Sequence, residues 1–322
     1  SIQMDGEEIA EYPIFILVGP LESTDPIPPD NYGYWTYDDT DLEYDEHPVY
    51  DWVELNPEDG GSGTDLLLVD DTLTEVDLGF TFTYYGNNYN SMTVGSNGWI
   101  SFEPETIPYF WNFSIPMPMG PSAMVAPYFD DLDDNQGEEE FHVFSWYDEG
   151  QGRFIVQWDN VANGEDDDLC PDCVRETFEL ILYDPAVYPT TTGDGEIVFQ
   201  YQEINDIDAN GNYSTIGIES PDQNDGVQVL FANNLHISSA PLIDGVGELA
   251  IKFTTDAPEV ALFDILGDLN QDGNIDILDI IITVDIIMVF IDPTEYQLWA
   301  ADLNEDDIVN IYDIILLVGI IL

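Results

Sequence analysis

Positive charge is nearly missing from this sequence: 322 residues carry three basic side chains, Arg153, Arg175 and Lys252, against 67 acidic ones. A net charge of −64 repels polyanions, which excludes nucleic acid and anionic membrane surfaces as partners. The chain also repels itself, so calcium or high ionic strength has to offset the charge. Long apolar runs are missing too. None reaches the roughly 20 residues that span a bilayer, so membrane insertion is not expected. The numbering opens at Ser1 with neither a basic n-region nor an apolar h-region, so a signal peptide is expected to have been removed or never present. Cysteine is limited to Cys170 and Cys173, in CPDC. That excludes a four-cysteine zinc site within one chain, and no helix-forming sequence follows to make a thioredoxin-type motif. A small loop disulfide is read in preference to free thiols, in keeping with a secreted chain. Histidine is equally sparse. His47, His142 and His236 sit in dissimilar contexts without a nucleophile motif, and paired carboxylates lose their value as a signal where acids are everywhere, so the chain is read as non-catalytic.

What is present is the apolar and aromatic content of a globular protein, in three regions. Residues 1–30 form an arm: an acidic leader, an apolar run from Tyr12 to Val18, and a linker through Pro26, Pro28 and Pro29. Residues 31–257 are rich in short β segments. These are Leu66–Val69, Phe80–Tyr85, Met92–Val94, Trp99–Phe102, Met124–Phe129, Phe141–Tyr147, Phe154–Trp158, Thr177–Tyr183, Glu196–Tyr201, Thr215–Glu219, Val227–Phe231 and Glu248–Phe253. Several alternate apolar with polar side chains, and turn sequences such as Gly86-Asn87-Asn88 and Ser96-Asn97-Gly98 separate them. No helical period competes, so the fold class is mainly β, an antiparallel sandwich. Residues 258–322 switch to acidic loops followed by apolar helices, a small α-helical calcium module.

Two segments of that last region carry the spacing of a twelve-residue calcium loop. In DLNQDGNIDILD the oxygen ligands are Asp268, Asn270, Asp272, Asp276 and Asp279, with Asn274 at the position that uses a backbone carbonyl. In DLNEDDIVNIYD they are Asp302, Asn304, Asp306, Asn310 and Asp313, with Ile308 at the carbonyl position. Calcium needs six to eight oxygens about one point, and this spacing supplies them from a single short loop. Two such loops in tandem, each leading into an apolar helix, imply two Ca2+ ions. The tandem, with aspartate at position 12, resembles type I dockerins over about Gly267 to Leu322. The resemblance implies that calcium folds the module and that its helices bind a protein partner. At loop positions 10 and 11, where cellulosomal dockerins usually carry hydroxyl residues for cohesin recognition, this chain has Ile277, Leu278, Ile311 and Tyr312. The helices Ile277–Ile291 and Ile311–Leu322 are apolar nearly all round, so two short helices are expected to leave apolar surface exposed.

The middle region has its own resemblance. NYGYWTYDDTD (31–41), LGFTFTYYGNNYNSMTVGSNGWISF (78–102) and APYFDDLDD (126–134) resemble a nidogen-like β domain of secreted bacterial proteins, often found behind gingipain-like or subtilisin-like peptidase domains. It implies an accessory, non-catalytic module and transfers no active-site residue. In such proteins an immunoglobulin-like domain usually precedes the module. Here Tyr12 to Gly19, with Ile14, Phe15 and Ile16, reads as that domain's last strand without the domain, free to fold back or to complete a neighbour's sheet.

Smaller signals are weighed against bland ones. Asp130, Asp131, Asp133 and Asp134 are a candidate further calcium site or a solvated acidic loop. Asp206, Asp208 and Asn210 read as a turn, since no carboxylate follows at a twelfth position. Asn112 and Asn212 head glycosylation sequons. The aromatics, including 7 Trp and 18 Tyr, are read as core and cross-strand pairs before a sugar platform. Together these features are read as a secreted, extracellular bacterial protein, cell-surface attached or free, that polymerises head to tail through its N-terminal strand and its C-terminal module. The alternatives are an adhesive or glycan-binding module docked on a cohesin-bearing scaffold, and the C-terminal part of a processed secreted peptidase.

Overall fold

The computed structural model describes residues 2–4, 7–10, 21–133, 141–163, 175–204, 214–232, 234–241, 248–258, 266–270, 275, 277–291, 293–304 and 308–321. The chain divides into two units, Ser1–Pro258 and Glu259–Leu322.

In the first unit a hairpin of β1 (Ile2–Met4) and β2 (Glu7–Ala10) precedes the sandwich. The other strands, in chain order, are β3 (Trp35–Asp38), β4 (Thr64–Asp65), β5 (Leu73–Tyr84), β6 (Asn87–Gly95), β7 (Ile100–Ser101) and β8 (Met124–Phe129). Then come β9 (Leu132–Asp133), β10 (His142–Asp148), β11 (Arg153–Asn163), β12 (Glu176–Tyr183) and β13 (Ile197–Glu203). The last are β14 (Thr215–Glu219), β15 (Gly226–Phe231), β16 (Asn234–Leu235) and β17 (Leu249–Thr254). One sheet runs β3-β17-β13-β12-β11-β10-β4, with β9 paired to the far end of β11. The other runs β16-β15-β14-β8-β7-β6-β5. Every pairing is antiparallel.

The inner faces meet through large rings. Trp158 and Phe178, cross-strand partners on the first sheet, stack at 5.1 Å, and Tyr128 of the second sheet reaches across to Phe178 at 5.6 Å. Polar tips are satisfied across the same gap: Trp158 Nε1 donates to the Gly95 carbonyl at 3.1 Å, and Tyr201 Oη donates to the Pro127 carbonyl at 2.7 Å. Removing one such ring from a filled core costs about 3–5 kcal/mol, so these aromatics fix the pairing of the sheets.

The outer face of the first sheet is covered as well. Leu55, Phe144, Ile155, Ile181 and Val198 form a second apolar cluster there. Beside it Gln157, Glu179 and Gln200 stand in register on β11, β12 and β13. The extended segment from Asp51 to Leu55 lies across them. Its alternate amides donate to their side chains: Asp51 N to Gln200 Oε1 at 2.5 Å, Val53 N to Glu179 Oε1 at 3.3 Å, and Leu55 N to Gln157 Oε1 at 2.7 Å. A strand buried on both faces needs no alternation, which is why ETFELILY is almost wholly buried.

Several sequence expectations are corrected. The strand expected at Leu66–Val69 pairs instead at Thr64–Asp65. Leu66 N still donates to the Val143 carbonyl, and the left-handed backbone of Leu67 (φ 55°) then ends the ladder. The proline-rich linker is not free: Ile27, flanked by prolines that favour extended backbone, exchanges hydrogen bonds with Thr36 and is buried. The acidic leader contains the β1–β2 hairpin. Tyr12 to Gly19, including Ile14, Phe15 and Ile16, lies outside the described residues.

The second unit contains α1 (Ile277–Ile287), α2 (Glu295–Ala301) and α3 (Ile311–Ile321). The first helix is shorter than the expected run to Ile291, because Val289 turns left-handed (φ 57°) and breaks the helical bonding. The short helix α2 is an addition to the elements expected from the sequence. Thr294 caps it reciprocally with Gln297, at 3.1 Å in each direction, a capping box that Thr-Glu-Tyr-Gln spells out. Leu269, Ala300 and Ala301 make the small core, with Ile282, Ile286, Tyr296 and Val309 against it.

Candidate calcium centre and docking face

The two loops are built alike. In the first, Asp279 at the start of α1 is fully buried, and its Oδ1 accepts the amides of Leu269 (2.8 Å) and Asn270 (3.3 Å). Asp268 is also buried, and its carbonyl accepts from Tyr296 Oη at 2.8 Å. In the second, Asp313 is buried at the start of α3 and accepts the amides of Asn304 (3.3 Å) and Asn310 (2.8 Å). Asn310 Oδ1 accepts from Tyr312 N at 2.9 Å, and its Nδ2 donates to the Ile308 carbonyl at 2.8 Å. The position-12 aspartate therefore closes each loop by reaching back to its opening residues. Asp302 opens the second loop, its amide donating to the Trp299 carbonyl at 3.2 Å. Asp272, Asn274, Asp276 and Asp306 lie outside the described residues.

Buried carboxylates require counter-charge or full hydrogen bonding. The second unit contains no Lys, Arg or His in its sequence, so nothing cationic of its own can serve Asp268, Asp279 and Asp313. A donor set made only of carboxylate, amide and carbonyl oxygens suits a hard divalent cation, and the residues present fit calcium.

The helices repeat the symmetry of the loops. α1 and α3 begin thirty-four residues apart, and each buries the same two steps, Asp279 with Thr283 and Asp313 with Leu317. The exposed side chains repeat too: Ile277 is 63% exposed and Ile311 64%, Leu278 49% and Tyr312 67%. The residues expected to face a partner are thus on the surface in two equivalent settings. Leu298, Trp299, Ile308 and Val309 also line a groove of about 710 Å³ within this unit.

The acidic cluster of the first unit is only partly brought together. Asp131 gathers with Asp70 and Asp71, their carboxylate oxygens within 4.8 Å of one another, a grouping that sequence proximity does not reveal. Asp130 accepts the Asp131 amide at 2.9 Å, Asp133 sits on β9, and neither joins that group. Asp134 lies outside the described residues, as do Cys170, Cys173, Asn212 and the Asp206–Asn210 turn. Asn112 is half-buried, its Nδ2 donating to Thr215 Oγ1 at 3.2 Å.

With sandwich and loops in view, comparison with known families gives the class. A protein-family profile described as NIDO related matches residues 52–243, more than half of the chain, and the chain belongs to that family. The description Dockerin type I domain matches residues 266–322, the stretch that holds both loops. Type I dockerins are calcium-binding modules. No curated protein and no solved structure matched the chain. Among the described residues, no helix is long and apolar enough to cross a membrane.

Proposed function

We propose that this chain is a secreted, non-catalytic accessory module, which its C-terminal unit anchors to a cohesin-bearing scaffold in a calcium-dependent way. The observation that carries the reading is the repeated pair of buried loop-closing aspartates, Asp279 and Asp313, each setting a helix whose apolar residues stand exposed. Two Ca2+ ions, one per loop, fix the helix starts. Ile277 with Leu278 and Ile311 with Tyr312 then offer two apolar contact faces where hydroxyl residues are usual, so the matching cohesin has an apolar receiving surface. Head-to-tail polymerisation has less behind it: its N-terminal strand lies outside the described residues, and two chains of −64 repel each other.

The test is calorimetric titration of the whole chain with a panel of recombinant type I cohesins, in calcium and in excess chelator. One-to-one binding in calcium that disappears in chelator is expected. Ile311→Ser with Tyr312→Ser, or Ile277→Ser with Leu278→Ser, should each leave binding through the other face, and the fourfold variant should abolish it. Failure to bind any cohesin, together with calcium-dependent growth of scattering mass by the chain alone, would reverse the choice in favour of self-assembly.

A further inference from the structure

A cavity of about 240 Å³ opens on the outer face of the first sheet, between residues 47–51 and the pair Tyr183 and Tyr188. No calcium loop contributes to it. Lys252, one of three basic residues in the chain, stands in its wall. Lys252 Nζ lies 2.6 Å from both Glu46 Oε2 and Glu196 Oε1. Those bonds use two of the three ammonium donors and leave one for another acceptor. His47 Nδ1 is 2.6 Å from the Tyr44 carbonyl, which leaves Nε2 as an acceptor in the neutral ring. Glu196 and Asp51 are the acidic residues of the lining.

The aromatic wall is held ready. Tyr188 Oη donates to the Gln151 carbonyl at 3.0 Å, and its ring meets Tyr183 edge to face at 4.8 Å. Asp51 is held by Gln200, whose side chain accepts its amide and donates to its carbonyl at 2.9 Å. The site is therefore built before any ligand arrives, which lowers the ordering cost of binding.

Charge narrows the ligand. An anion would meet Glu196 and Asp51 within a chain of −64. A cation would be pressed against the ammonium of Lys252, and a purely apolar molecule would strip water from all these groups without replacing their hydrogen bonds. An uncharged ring edged with hydroxyls supplies both donors and acceptors, and its C–H face packs on an aromatic side chain. The volume falls below the roughly 300 Å³ where drug-sized pockets begin, so it suits one ring. We propose that this cavity binds a single neutral sugar unit of a glycan, with Tyr188 as the stacking face and Lys252, Glu196 and Asp51 as the hydroxyl partners.

The test uses the full chain in calcium, with saturation-transfer NMR and calorimetry. The probes are neutral monosaccharides and their oligomers (gluco, galacto, manno, xylo and N-acetylglucosamine series), with oligogalacturonate and argininamide as charged comparators. At least one neutral series should bind, with an affinity that barely changes from low to high salt. Tyr188→Ala should weaken it about tenfold or more, the loss of one aromatic contact. Tyr188→Phe keeps the ring and should keep most of the binding. Trp111→Ala removes the most exposed tryptophan, on the other sheet's side, and should change nothing. Thermal melts confirm that each variant folds. Binding by no neutral sugar, binding unchanged in Tyr188→Ala, loss in Trp111→Ala, or preference for either charged comparator would overturn the assignment.

Discussion

Glu179 offers a sharp test of how the outer face of the first sheet is held. It is completely buried on β12, its Oε1 accepts from Val53 N (3.3 Å) and Gln200 Nε2 (2.6 Å), and its Oε2 has no hydrogen-bond partner. Burial pushes its carboxyl well above the usual range, outweighing the Val53 amide, the Gln200 side chain and Arg153, which pull it down. The folded state therefore keeps a proton that the unfolded chain releases near pH 4.5. Between that pH and the raised folded value the unfolded state binds fewer protons, so stability is fully present below the unfolded value and falls as pH rises, by at most about 1.4 kcal/mol per pH unit for one group. Asp41, raised to about 8 chiefly by burial, and Glu219, raised to about 7 by the same cause, act with the same sign. Urea unfolding, followed by tryptophan fluorescence in excess chelator to silence the calcium loops, should show a midpoint that falls from pH 5 toward pH 8. Glu179→Gln keeps the Oε1 acceptor and cannot ionise. It should lie within about 1 kcal/mol of the parent at pH 5 and flatten the descent above it. Glu179→Ala strands two donors at about 1–3 kcal/mol each and should lose about 2–6 kcal/mol at pH 5. A midpoint that rises with pH, or a Gln variant as damaging as the Ala variant at pH 5, would refute the reading of a neutral acid under the Asp51 to Leu55 segment.

Two further outcomes follow from the geometry. Chelation should remove the far-UV helical signal of α1 and α3, and Asp268→Ala or Asp302→Ala should each delete one ion by calorimetry. At free calcium a hundredfold above Kd, each ion adds about 2.7 kcal/mol to its unit's stability, so helicity unchanged in chelator would sink the calcium assignment. Gly217→Ala should cost about 2 kcal/mol or more, because a Cβ there would lie 2.2 Å from the Val227 carbonyl at a φ of 156°; a melt within error of the parent would show that β14 can yield.

The sequence spoke most clearly where a local pattern carried the chemistry. Twelve residues in fixed order spell a calcium loop, and the repeat after thirty-four residues makes both copies recognisable without any fold. Strands such as Met124–Phe129 and Thr215–Glu219 are equally readable, because a short apolar or β-branched run bounded by turn residues is a local signal even where both faces are buried. Leu66–Val69 misleads because its leucines suggest a strand interior, whereas a left-handed residue inside the run ends the pairing. α2 escaped because its seven residues are too few to establish a period, although its capping box was in plain view.

What stayed hidden depends on partners distant in the chain. Nothing near Gln157, Glu179 or Gln200 announces that three strands place them in one row, or that a segment 102 to 149 residues earlier lays its amides across them. Charge hid the rest. In a chain with 67 acids no single carboxylate is informative, so Glu46 and Glu196 gain meaning only from the scarce cation between them. The rare residue type is the better guide in so biased a composition. Two of the three basic side chains stand on one sheet, with Arg153 paired to Asp148 at 3.2 Å and Lys252 at the wall of the cavity assigned to a sugar unit. A cation withheld almost everywhere else and then half-buried between two glutamates costs desolvation that a solvated surface lysine avoids. Its third donor is what an uncharged hydroxyl ligand would use, whereas a purely structural ion pair would have no need of the open space beside it.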